Sequence, residues 1–150
     1  MRWVVAITAA VFAVAPAFGA DPAGDVGQIK TMRGTVHVER DGQRLAAVPG
    51  MNVRQADNLV TGADGAVGVT FLDNSRLSLG PASTLAIDRY TFDSTTHAGQ
   101  FDASLKKGTL AVISGRMVKQ SPDAMRVRTP SSVMGVRGTE FVVRVEEPRR

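Results

Sequence analysis

No cysteine occurs in the 150 residues, which excludes a disulfide framework and any thiolate-based metal or redox site. Histidine is nearly as scarce. His37 lies on the polar face of an alternating run and His97 in the loop "STTHAGQ", and both read as ordinary surface residues. Neither has a second imidazole or a carboxylate at a ligand spacing, so no metal is expected. Past the first twenty residues the aromatics are Phe71, Tyr90, Phe92, Phe101 and Phe141, with no tryptophan. That is too few stacking platforms for a single-strand groove, and no nucleic-acid partner is expected. There is no Gly-x-Ser-x-Gly elbow and no EF-hand loop. Asp57, Asp64, Asp73 and Asp88 are spaced irregularly at turns and strand ends, where side-chain hydrogen bonds to nearby backbone account for them. Catalytic residues and cofactors are therefore expected to be none.

One long apolar stretch does exist, at the start. "MRWVVAITAAVFAVAPAFGA" has a basic head at Arg2, an apolar run from Trp3 to Ala15, a break at Pro16 and small residues after it. This order predicts a secretory signal peptide over residues 1–20. The run is shorter than the ~18 uninterrupted apolar residues of a spanning helix, so no membrane span is expected once the segment is cleaved. Residues 21–28, "DPAGDVGQ", read as a flexible lead-in. Residues 29–145 are long enough for one core, and 146–150 form a basic tail. Charge is unevenly spread. Residues 21–105 hold 7 basic and 10 acidic side chains, whereas residues 106–150 hold 10 basic and 4 acidic. The last third is thus a candidate cationic surface.

Between these ends the dominant period is two, which puts alternate side chains on one face of a strand. Val36 and Val38, then Val67, Val69 and Phe71, then Leu77 and Leu79, then Leu85 and Ile87 fall on common faces. So do Phe101, Ala103 and Leu105, then Leu110 and Val112, then Met125 and Val127, and finally Phe141, Val143 and Val145. The turn sequences "RDGQ", "GADG", "LDNS" and "LGPAS" separate several of these eight runs. No helical period is sustained. The expected fold is all-β, a single compact domain of many short strands, arranged as a β-sandwich or an irregular β-helix-like winding. Gly-Thr recurs at residues 34–35, 108–109 and 138–139 without a constant spacing, so no strict repeat is established.

The stretch "RTPSSVMGVRGTEFVVRV" stands apart, with a proline, two glycines and three arginines before a strand-like close. Pro130 fixes its own φ and holds Thr129 extended, while Gly135 and Gly138 permit sharp reversal. Arg137 offers its forked donors either to loop carbonyls or to a partner's carboxylate. The series Gly50, Asp57, Leu59, Thr61-Gly62, "DNS" at 73–75, "LKKGTLAVISG", Thr129-Pro130, Gly135 to Thr139, Phe141 and Val143 resembles the FecR-type domain from about Ile29 to Val145. The best-known members of that family are transmembrane regulators of iron uptake, with a cytoplasmic sigma-binding segment and a periplasmic part that receives a transporter's signal. Only Met1 and Arg2 precede the apolar run here, so the resemblance carries over the exported β module, as in stand-alone proteins with this domain. It implies a periplasmic, non-catalytic binding or signalling module that recognises an envelope protein or acidic polymer. Arg126, Arg128, Arg137 and Arg144 are the candidate contact residues. Thr129, Pro130, Gly135, Gly138 and Thr139 are the candidate structural motif. The alternatives are a self-associating envelope protein joined through open sheet edges, and an enzyme on envelope carbohydrate or peptide that uses paired carboxylates.

Overall fold

The computed structural model of the chain describes residues 24–136 and 140–146. Residues 1–23, which include the expected signal segment, Arg137, Gly138, Thr139 and residues 147–150 of the tail lie outside the described residues. The first strands are β1 (Asp25–Arg33), β2 (Val36–Arg40), β3 (Gln43–Ala46), β4 (Asn52–Arg54), β5 (Asn58–Thr61) and β6 (Ala66–Phe71). They are followed by β7 (Arg76–Leu79), β8 (Thr84–Phe92), β9 (Gly99–Ile113), a single-turn helix α1 (Arg116–Gln120), β10 (Met125–Arg128), β11 (Val133–Gly135) and β12 (Glu140–Val145). The fold is all-β. Among the described residues no helix is long and apolar enough to cross a membrane.

The strands form one continuous sheet in the order β3-β2-β5-β8-β9-β7-β6-β1-β4, with β10, β11 and β12 attached on the far side of β9. Ten of the eleven pairings are antiparallel, and only β10 runs parallel, to β9. A β-helix would stack parallel rungs, so the sandwich is the nearer of the two expected architectures. The β7 half (β4, β1, β6, β7, β12) and the β8 half (β3, β2, β5, β8, β10, β11) fold over one shared core. At its centre Phe71 of the β7 half meets Phe101 edge-on at 4.8 Å, and Tyr90 meets Phe101 edge-on at 5.2 Å. Such pairs contribute ~0.5–1.5 kcal/mol each beyond the area they bury.

The runs "FDASL" and "TLAVI" are one strand, β9, and the reason they look like two is a change of phase. Phe101, Ala103 and Leu105 point inward, then the inward set resumes at Leu110 and Val112, an odd step from Leu105. Between them Gly108 has φ +94°, and a Cβ there would lie 2.0 Å from Ser83 Oγ. The N-terminal part of β9 pairs with β8 and β10 and the C-terminal part with β7 and β12, so this glycine is the corner at which one strand serves both halves.

Other expectations need correction. Residues 21–28 are not simply a lead-in, because β1 starts at Asp25 and is flanked by β6 and β4. Gly27, which read as looseness, is a close approach: a Cβ would sit 2.9 Å from the Thr70 carbonyl oxygen. Strands β3, β4, β5 and β11 add three or four residues each, too short to show a period. His37 is not an ordinary surface residue. Its side chain is 16% exposed, and Nε2 lies 3.7 Å from Glu39 Oε1 without a hydrogen bond. The turns behave as expected, with Asp41 and Gly42 both at positive φ in the β2–β3 hairpin.

Two glycine substitutions separate backbone strain from packing. Gly42 has φ +74° but open space around it, whereas Gly108 combines φ +94° with the Ser83 contact. Gly42→Ala is expected to cost about 1 kcal/mol and Gly108→Ala roughly 3 kcal/mol or more, read as the difference in urea midpoints. Equal losses at the two positions would contradict the corner role of Gly108.

Candidate functional site

Asp73 is fully buried beneath the "DNS" turn, where Asn74 takes φ +67°. Its Oδ1 accepts from Tyr90 Oη at 2.9 Å and from the Ser75 N–H at 3.2 Å; its Oδ2 accepts from Ser75 Oγ at 2.6 Å and from the Met117 N–H at 3.4 Å. The Asp73 N–H donates to Tyr90 Oη at 3.0 Å, and Ser75 Oγ accepts from the Gly115 N–H at 3.0 Å. This network ties the β6–β7 turn to the start of α1 and to β8. Burial first, then the adjacent Asp73 carboxylate, pushes the Tyr90 hydroxyl above its ordinary range.

Asp57 makes a second hub. It is 1% exposed, and its carboxylate accepts from Arg40 Nε at 2.9 Å, from an Arg40 terminal nitrogen at 2.7 Å and from the Arg54 N–H at 2.9 Å. The hydrogen bond to Asp57 raises the already high Arg40 value further. Arg40 also donates to the Asn52 carbonyl at 3.1 Å, so β2 of one half is stitched to β4 of the other. A third hub joins Thr61, whose Oγ1 donates to the Gly80 carbonyl at 2.6 Å and accepts from the Ser83 N–H at 2.9 Å. Asp57 and Asp73 were read from sequence as turn residues; burial makes them structural centres instead. Their acceptor positions are already filled by protein donors, and neither lines any of the surface grooves described below.

The expected contact residues are divided between the two halves. Arg126 and Arg128 project from the outer face of β10, in register with Asp102 and Ser104 of β9. Carboxylates are interleaved there, since Asp88 of β8 accepts a hydrogen bond from Ser104 Oγ. Arg144 is on β12 in the β7 half, 3.8 Å from Glu146, with both side chains 73% exposed. Arg137 lies outside the described residues. Thr129 and Pro130 form the β10–β11 turn, closed by the Thr129 N–H donating to the Ser132 carbonyl at 2.8 Å and by the Ser132 N–H donating to Thr129 Oγ1 at 3.1 Å. The reversal expected at Gly135 therefore falls on this turn. Gly135 sits within β11, and a Cβ there would meet nothing within 4 Å.

Sequence reasoning missed a recessed surface on the β7 half. On the outer face of the β7 half, Thr31, Gly68, Ser78 and Ala111 line up across β1, β6, β7 and β9. Thr31, Gly68 and Ser78 of this row open onto a trough of about 680 Å³ that is lined also by Lys30, Val69, Thr70, Asn74, Arg76 and Leu77. A smaller depression of about 300 Å³ continues past Gly68 and Ser78 to Arg33. An irregularity in β1 between Ile29 and Thr31 leaves Lys30 and Thr31 both exposed. Lys30 and Arg76 line the trough and Arg33 its continuation, beside the hydroxyls of Thr31, Thr70 and Ser78 and the apolar Val69 and Leu77, and no carboxylate lines either. The available signal was the outward position of Gly68 in "AVGVT", which alternation alone marks as surface. Among the described residues no three of His, Asp or Glu gather as a metal site.

The chain matches one protein-family model, described as FecR protein, over residues 57–149. No curated protein and no solved structure matches it.

The Tyr90–Asp73 pair makes a pH prediction. Above about pH 10 the unfolded chain sheds its phenolic proton while the folded chain keeps it, so stability falls as pH rises, by up to ~1.4 kcal/mol per pH unit. Tyr90→Phe is expected to remove that slope while lowering stability at neutral pH through the lost hydrogen bonds. Because Tyr90 is the only tyrosine, phenolate absorbance reports it alone, and it should appear only with unfolding. Reversible ionisation near pH 10 in the folded protein would refute the sealed network.

Proposed function

Because the chain belongs to the FecR protein family, we propose that it is a signalling or regulatory module that acts outside the cytoplasm by recognising an acidic envelope ligand, without covalent chemistry. The observation that carries this reading is the trough rimmed by Lys30, Arg33 and Arg76. Three cations beside the hydroxyls of Thr31, Thr70 and Ser78, with no carboxylate in the lining to compete, suit an extended anionic polymer that presents charge and hydroxyl groups in turn. Aromatic platforms are absent from that floor, so recognition there is electrostatic and hydrogen-bonded. Binding in such an open trough is expected to weaken with salt.

An enzymatic reading needs a pair of carboxylates facing one cleft. The buried carboxylates Asp57 and Asp73 are occupied by structural hydrogen bonds, and the trough offers none. The order of residues 1–20, a secretory pattern in sequence, supports the export that this reading needs. Arg126 and Arg128 present a second cationic pair on the β8 half, closer to carboxylates and so less suited to an anion.

Calorimetric titration of the protein with polygalacturonate, an acidic polysaccharide, tests the proposal. Wild type is expected to bind with an affinity that falls as salt rises, and K30E/R33E/R76E to bind roughly tenfold more weakly or worse. R126E/R128E serves as the comparison and should lose less. Absence of binding, or a trough variant that binds as wild type does, would overturn the assignment of the trough.

A further inference from the structure

Strand β12 is the last strand on its side of the β7 half, and among the described residues β9 is its only partner strand. Which of its backbone groups face outward follows from Thr109. The Thr109 carbonyl accepts from the Gly80 N–H at 3.0 Å, and its N–H donates to Ser83 Oγ at 3.0 Å, so both groups point away from β12. Arg144, opposite Thr109, is then a non-hydrogen-bonded partner, and its own N–H and C=O point to the free side. Alternation gives the same orientation to Val142 and Glu140. The free edge thus offers the backbone of Glu140, Val142 and Arg144, while buried Val143 and half-buried Phe141 and Val145 hold the strand against the core. An open groove of about 370 Å³ separates this edge from the Thr129–Ser132 turn and Met134, so the β10–β11 hairpin does not fill it.

The side chains on that edge are self-complementary. Among the described residues Val142 is the most exposed of the large apolar side chains, at 65%, and it stands midway between an exposed glutamate and an exposed arginine. We propose that β12 is a homodimerisation edge, at which a second copy of this chain pairs antiparallel about a two-fold axis at Val142. In that register Val142 meets Val142 of the second copy, and each Glu140 lies opposite Arg144 of the other. All three positions are hydrogen-bonded pairs, matching the outward backbone groups derived above. Parallel pairing would set Glu140 on Glu140. Antiparallel pairing centred on Val143 would set Glu140 against Glu146, and centring on Arg144 would oppose two arginines. Exposed charges ordinarily protect a sheet edge from pairing, and here their signs exclude these registers while favouring the one about Val142. The Arg144–Glu146 pair within one chain is exposed and contributes little, so Arg144 is available to exchange partners. Pairing lies in the plane of the sheet and leaves the trough open, so this proposal stands independently of the ligand reading.

Charge reversal provides the test, by sedimentation equilibrium of the protein over micromolar to millimolar concentration. Wild type is expected to dimerise. E140R opposes two arginines and R144E opposes two glutamates, so each alone should dimerise about tenfold more weakly or worse. The double variant E140R/R144E restores both pairs and should dimerise as wild type does. An equimolar mixture of the two single variants should form a heterodimer, since every cross pair is then of opposite charge. Both side chains are exposed, and unchanged circular dichroism and thermal melting would show that each variant is folded. A wild type that stays monomeric, single variants that dimerise undiminished, or a mixture without heterodimer would each overturn the proposal.

Discussion

Strand β9 must leave one half of the sheet and enter the other without losing its ladder, and most of the structure depends on how it turns that corner. Gly108 supplies the positive φ, and the absence of its Cβ lets Ser83 approach. Ser83 then uses its hydroxyl twice, accepting from the Thr109 N–H at 3.0 Å and donating to the Pro81 carbonyl at 3.1 Å. Its own N–H donates to Thr61 Oγ1, which brings β5 to the same point. A corner made by one residue therefore orients β5, β7, β8 and β12 around it. The Gly34–Thr35 pair repeats the device, with Gly34 at φ +63° pressed on Asp64 and the Thr35 N–H donating to Asp64 Oδ1 at 3.3 Å. At residues 34–35 and 108–109 Gly-Thr thus marks a corner of this kind rather than a repeat unit.

The same economy explains the buried carboxylates. A polar group taken out of water destabilises the fold unless it is fully hydrogen-bonded. Asp57 and Asp73 meet that condition by joining segments distant in sequence, Arg40 to Arg54 in one case and Ser75 to Tyr90 and Met117 in the other. Three positions of the family resemblance, Asp57, Asp73 and Gly108, are in this way explained by folding. The outer faces and edges carry no such structural duty, and the proposed recognition is assigned to them for that reason.

Local alternation made the inward residues legible. Val67, Val69 and Phe71, or Met125 and Val127, are assigned to the core by period alone, and all are buried. The turn at Asp41-Gly42 is equally legible, because few residue pairs tolerate two successive positive φ values. Where the reading failed, a non-local contact had overruled a local sign. Gly27 and the start of β1 looked loose until β6 was placed beside them. β9 looked like two strands because its corner shifts the alternation. Strands of three residues such as β4 and β11 have no period to show, and pairing alone makes them strands.

By itself, then, the sequence determined the all-β character, the identity of the core side chains, the turns and the lack of thiol chemistry, because each follows from residue type and near-neighbour spacing. It could not determine which outward residues share a surface. Thr31, Gly68, Ser78 and Ala111 form one row only because four strands pair in one register, and Arg126 and Arg144 part company only because β9 carries their strands into different halves. Side-chain direction along a strand is a local property, whereas register between strands is settled by contacts between residues far apart in the chain, and the trough and the free edge of β12 are both products of register.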